Sequence, residues 1–204
     1  RANLETLDAI PSRMATLAEA KTLGGVGAIL LVLGTFIPFV GIIGFILVLI
    51  AVKYISDVTR DRSVFDNMLY GVIIAIIGIL VVSLLILLPL FGLGIIPGGE
   101  FPPLTDPQAF FVFGTIALGL IVGWILAIIS AVFLRRSFDS IATHMNVPRF
   151  RTVGLLYFVG AILIIAIGIG FIIIFIAEIL MIVAFFSIQE PQPAPAVAEP
   201  PAAP

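Results

Sequence analysis

The sequence predicts an all-α protein, a polytopic bundle of transmembrane helices, and three observations carry that prediction. Hydrophobic residues make up 61% of the 204 and charged residues only 11%, with a mean hydropathy of +1.30, outside the range of ordinary globular domains. Leu23–Val52 runs 30 residues without a charge and Thr152–Ile188 runs 37 with only one, each longer than the roughly 20 residues of a single bilayer crossing. The ten Lys and Arg residues fall in only three places, all beside apolar stretches. A chain of this length suits one bundle of about four to six helices, with no room for a second domain.

The same composition excludes several functions. Every basic group is accounted for by a segment flanking the membrane, so the net charge of −2 leaves no patch for nucleic acid. The absence of Cys removes disulfides, iron–sulfur ligation and thiol chemistry. Residues 1–22 are polar and the first apolar run is too long for a signal core, so no cleavable signal is read here.

Taken in order, residues 1–22 read as a polar leader in which Met14, Leu17, Ala18 and Lys21 fall at helical spacing, which suits either a helix lying on the membrane surface or an ordinary solvated helix. The first long apolar stretch needs a turn in its middle. Ile37-Pro38-Phe39-Val40-Gly41 supplies one, because Pro38 has no amide proton and clashes with a preceding helical turn. Lys53 to Ser63 then reads as a polar loop with three basic residues, and Phe65 to Leu88 as a third helix ending near Pro89. Leu90 to Gln108, rich in Gly and Pro and without Lys or Arg, reads as a loop on the opposite side.

Ala109 to Leu134 predicts a fourth helix. Its small residues Thr115, Gly119, Gly123, Ala127 and Ala131 recur every four positions, a groove in which another helix can approach closely, either within the bundle or from a partner. Arg135 to Arg151 reads as a second polar loop containing Arg135, Arg136, Arg149 and Arg151. Those arginines either fix topology or contact anionic lipid head groups. Thr152–Ile188, as one helix, would be about 55 Å long, so a second hairpin is the easier reading. Residues 189–204, with six prolines and five alanines after Glu190, make an extended tail.

Charge supports six spans, two short hairpins plus two central helices, with five as the alternative. With six, the leader and both polar loops share one side, which the positive-inside rule places in the cytoplasm together with the N-terminus. A repeat within the chain points the same way: Gly27-Ala-Ile-Leu30 recurs as Gly160-Ala-Ile-Leu163, and GFILVLIA at Gly44–Ala51 resembles GFIIIFIA at Gly170–Ala177. Such a repeat would give two halves in inverted arrangement, common in secondary transporters.

The combination of AKTLGG, IPFVG, GFILVLIAVKYISD followed by DRSVFDN, then RRSFDSIA, FRTVGLLYFVGAIL and IVAFFSI resembles a family of small archaeal multi-spanning membrane proteins catalogued as a conserved domain of unknown function. The resemblance covers roughly Ala20 to Ile188. It implies an archaeal cell membrane location and carries over no activity and no functional residues.

Glu178 is the one ionisable side chain well inside an apolar stretch. A carboxylate near the bilayer centre costs about 2.5 to 3.5 kcal/mol, so Glu178 is expected to be neutral, paired, or turned to a polar cavity, with Thr35, Ser83, Thr115, Ser130, Tyr157 or Trp124 as partners. It falls opposite Val52 when the two repeats are aligned. The glycines at 92–99 follow a membrane helix and lack the Lys-Ser/Thr ending of a phosphate loop. His144 stands alone, which gives metal binding no support, and no cofactor is expected. The expected function is therefore a non-enzymatic membrane protein acting by association, as a homo-oligomer or an accessory subunit of a larger complex, surrounded by membrane lipids. The alternative is a small secondary transporter or channel using Glu178.

Overall fold

The computed structural model describes residues 4–92, 103, 105–166 and 168–189, with the backbone alone at residues 4–16 and at Pro38. Among the described residues the chain forms helices and no strand: α1 (Leu4–Gly34), α2 (Pro38–Thr59), α3 (Arg62–Gly92), α4 (Pro107–His144), α5 (Arg149–Leu163) and α6 (Ile169–Phe186). Each packs on the next and α6 returns to α1, closing a ring. Five are long and apolar enough to cross a membrane; the exception is α5, whose 15 residues span about 22 Å.

Both long apolar stretches are hairpins. In the first, Pro38 occupies the first turn of α2, where its missing N–H costs nothing, and Gly34 lies directly against Gly41 across the turn. In the second, the chain turns after Leu163 through Gly168, whose φ of +80° is open to glycine but strained for other residues. Glycines matched by the repeat do the same work in each. Gly27 packs backbone to backbone on Gly44, and Gly160 on Gly170, so a side chain at any of the four would strike the facing helix. The repeat is thus a packing motif, and the two halves differ in order as expected, with a hairpin before α3 in one and after α4 in the other. Arg149 at the start of α5 donates to Ser187 just past the end of α6 (2.8 Å), and Phe185 lies over Gly24 of α1. His144 Nε2, ending α4, stands 3.7 Å from Asp61, which precedes α3. Both hairpins therefore open toward the same end of the bundle and run in the same direction.

The α3–α4 pair is held by an antiparallel seam. Buried Ser137 donates to the carbonyl of Val64 and Ser130 to that of Gly71, each at 2.7 Å, with both partners shifted by seven residues. Farther along, Gly78 faces Leu126, Gly123 faces Val82 and Gly119 faces Leu85. Small residues and hydroxyls at these positions let the helices approach closely where lipid offers no hydrophobic gain for association.

At the end that carries the basic residues lies the dense core. Phe138, Phe150 and Phe185 are fully buried; Phe150 meets Phe185 edge-on at 5.0 Å, and Phe138 stacks between Phe150 and Tyr157. The opposite end is looser. Trp124 of α4 donates to the carbonyls of Ala161 and Ile162, both at 3.1 Å, near the last residue of α5. From Trp124 back to Pro107, α4 runs on for about 25 Å, and α3 runs about 15 Å past Val82 to Gly92. The α3–α4 hairpin thus overhangs the tips of the other two.

Several expected boundaries shift. Residue 22 is no break: α1 passes through it, and the rings of Phe185 and Phe186 occupy the space beside Gly24 and Gly25. The two polar loops are mostly helix, reduced to Arg60-Asp61 and residues 145–148, because α2, α4 and α5 carry their charged residues in continued helical turns. Pro89 lies inside α3 rather than at its end. Most of the Gly/Pro segment expected as a loop (93–102 and 104) and the Pro/Ala tail from residue 190 lie outside the described residues.

Candidate functional site: the Glu178 cavity

Near the middle of the ring is a cavity of about 190 Å³, lined by Leu31 (α1), Phe45 and Val48 (α2), Met68 (α3), Leu134 and Phe138 (α4), Tyr157 (α5), and Glu178 and Met181 (α6). All six helices contribute to it. Glu178 is half-buried, and its Oε2 is shut from solvent with no hydrogen-bond partner among the described residues. The hydroxyl of Thr35, in the turn of the first hairpin, reaches the carboxyl. Tyr157 is the other titratable side chain on the cavity wall.

The repeat explains how Glu178 comes to stand here. Val52, its counterpart in α2, is fully buried, and the preceding alanines, Ala51 and Ala177, are also fully buried at matched positions. A carboxyl thus takes a place that the first hairpin gives to a core valine.

A second, larger recess of about 540 Å³ lies between α3, α4, α5 and α6, with no lining residue from α1 or α2. Its walls are apolar apart from Ser83, Trp124, Ser130 and Tyr157. Leu134 and Tyr157 line both spaces and so stand between them.

Of the polar partners expected for Glu178, the structure brings Thr35 and Tyr157 to it. Ser130 is committed to Gly71, Thr115 to its own helix at the carbonyl of Phe111 (2.7 Å), and Trp124 to α5, while Ser83 lines the larger recess. Within the small-residue stripe, Gly119 and Gly123 face α3, and Ala127 and Ala131 line the recess. Gly119 and Gly123 thus pack this chain's own helices. Leu31, Met68 and Phe138 were not singled out as site residues, since a wall drawn from six helices has no local signature in the sequence.

The four arginines lie at the basic end, two of them beside Asp139. Arg135 Nε and Arg151 Nε each lie 3.8 Å from its carboxylate, and Arg135 and Arg136 also cover the rings of Phe158 and Phe133. Arg149 is held by Ser187. Among the described residues no group of His, Asp and Glu could hold a metal ion.

Residues 40–179 match the sequence pattern of a family described as a protein of unknown function, DUF996. The chain belongs to the DUF996 family. The match takes in Glu178 and all of α3, α4 and α5. A relative, the uncharacterized protein MJ1644 of Methanocaldococcus jannaschii, is 37% identical over 175 residues, covering 85% of this DUF996 chain and 94% of the relative. No solved structure matches the chain.

Proposed function

We propose that this DUF996 protein is a non-enzymatic, multi-pass protein of the cell membrane that takes up and releases a proton or a monovalent cation at Glu178, as a small secondary transporter does. The observation that carries the reading is the carboxyl oxygen of Glu178, unpartnered in a cavity walled by all six helices. An ionisable group at such depth is costly and marks a site by default. The Lys and Arg residues among the described residues lie near one end, which supports placing that end in the cytoplasm. In liposomes loaded at one pH and diluted into another, the protein should conduct protons, and Glu178→Gln should abolish the flux. Flux unchanged by Glu178→Gln would remove Glu178 from any transport role, and no flux at all would end the reading.

A second reading, association with a second copy or a partner subunit, is favoured by the overhang of α3 and α4. There Leu84, Leu88, Phe110 and Phe111 are each more than 60% exposed. Mass measurement of the protein in detergent, where a lone monomer would count against association, tests it.

A further inference from the structure

Resting on the Glu178 reading, we propose that the recess of about 540 Å³ is the binding site for a lipophilic organic cation, whose apolar groups fill the recess and whose charge lies against the Tyr157 and Leu134 wall that the recess shares with the Glu178 cavity. The volume falls within the range of small-molecule sites. Three features converge on this class. The walls are aliphatic, which suits an apolar body. The aromatic rings of Trp124 and Tyr157 line the recess, where a cation can meet their ring electrons. Among the described residues lining either space, Glu178 is the one acidic group, and no Lys or Arg lines them to compete for it.

An anion would meet a carboxyl and no positive partner, and a neutral apolar molecule would leave Glu178 unused. A hydrated inorganic ion would gain little from the aliphatic walls. On binding, the positive charge takes the place of the carboxyl proton, which passes to solvent; no bond other than that O–H is broken. Cation and proton thus compete for one group, which couples the movement of one to that of the other.

The test is binding of tetraphenylphosphonium to the purified full chain in detergent. Saturable binding is expected, weakening as pH falls and releasing a proton to unbuffered solution. Glu178→Gln should weaken it at least tenfold, as should Ala127→Phe, which fills the recess without touching Glu178, while thermal unfolding verifies that both variants fold. The neutral triphenylphosphine oxide should bind equally to wild type and Glu178→Gln. Absence of saturable phosphonium binding, or binding indifferent to both substitutions, overturns the proposal. If the phosphonium does not bind while liposome proton flux still depends on Glu178, the ligand assignment falls and the proton reading stands. Loss of both ends both.

Discussion

The indole nitrogen of Trp124 lies 3.1 Å from the carbonyl oxygen of Ala161, and this contact joins the long α3–α4 hairpin to the tip of a short one. Helix α5 ends two residues later, so its last carbonyls lack partners within their own helix, and in an apolar surrounding each unsatisfied carbonyl is costly. Trp124 meets two of them with one N–H.

Trp124→Phe keeps most of the ring but removes the donor. A loss of about 1 kcal/mol is expected from such an interhelical bond in a membrane protein. Thermal unfolding in detergent should show a lower midpoint, with faster amide exchange at the α5–α6 turn.

The matched glycines should respond alike. Gly27→Leu and Gly160→Leu each drive a side chain into the facing backbone, whereas Gly92→Ala enters open space. Overpacking of this kind typically costs about 1–3 kcal/mol. Both leucine variants should lower the unfolding midpoint and Gly92→Ala should leave it unchanged; equal tolerance in all three would contradict the backbone contacts.

Ser130→Ala and Ser137→Ala each remove one bond of the α3–α4 seam. A cost of about 0.6 kcal/mol apiece is expected, the mean for polar contacts between membrane helices. Because the two sites sit two helical turns apart, the double variant should lose the sum, measurable by unfolding in mixed micelles.

Acid should loosen the α2–α3 turn. The hydroxyl of Ser63 holds the Asp61 carboxyl below the usual carboxylate range, helped by the Ser63 amide and the nearby His144 and opposed by burial. A depressed folded value means that the stabilisation is full above the unfolded value near 3.9 and is lost as pH falls through the lower folded value. The unfolding midpoint should therefore drop more steeply below about pH 4 in wild type than in Asp61→Asn.

The two hairpins were legible because a charge-free run too long for one crossing must turn, and Pro38 marks where. The extent of the helices was less so. Treating charge as loop hid the pairs Lys53–Asp57, Arg62–Asp66 and Arg135–Asp139, each four residues apart on one helix face. That spacing is itself a helix signal and could have extended α2, α3 and α4 past the apolar runs. The repeat was visible as sequence, the shared direction of its hairpins follows from six spans with both polar loops on one side, and the Arg149–Ser187 contact agrees with it. Glu178 stood out as a lone acid, yet its cavity is assembled from all six helices and is invisible to local patterns.

In a membrane, the overhang of α3 and α4 would also bear on the surrounding lipid. A bilayer that matches the apolar length of this pair is too thick for the flank formed by the shorter hairpins, so acyl chains there must compress or tilt to meet their tips. Such mismatch costs fractions of a kcal/mol per ångström. The protein would therefore stand in a bilayer dimpled on one side, and shorter-chain lipids would relieve that deformation.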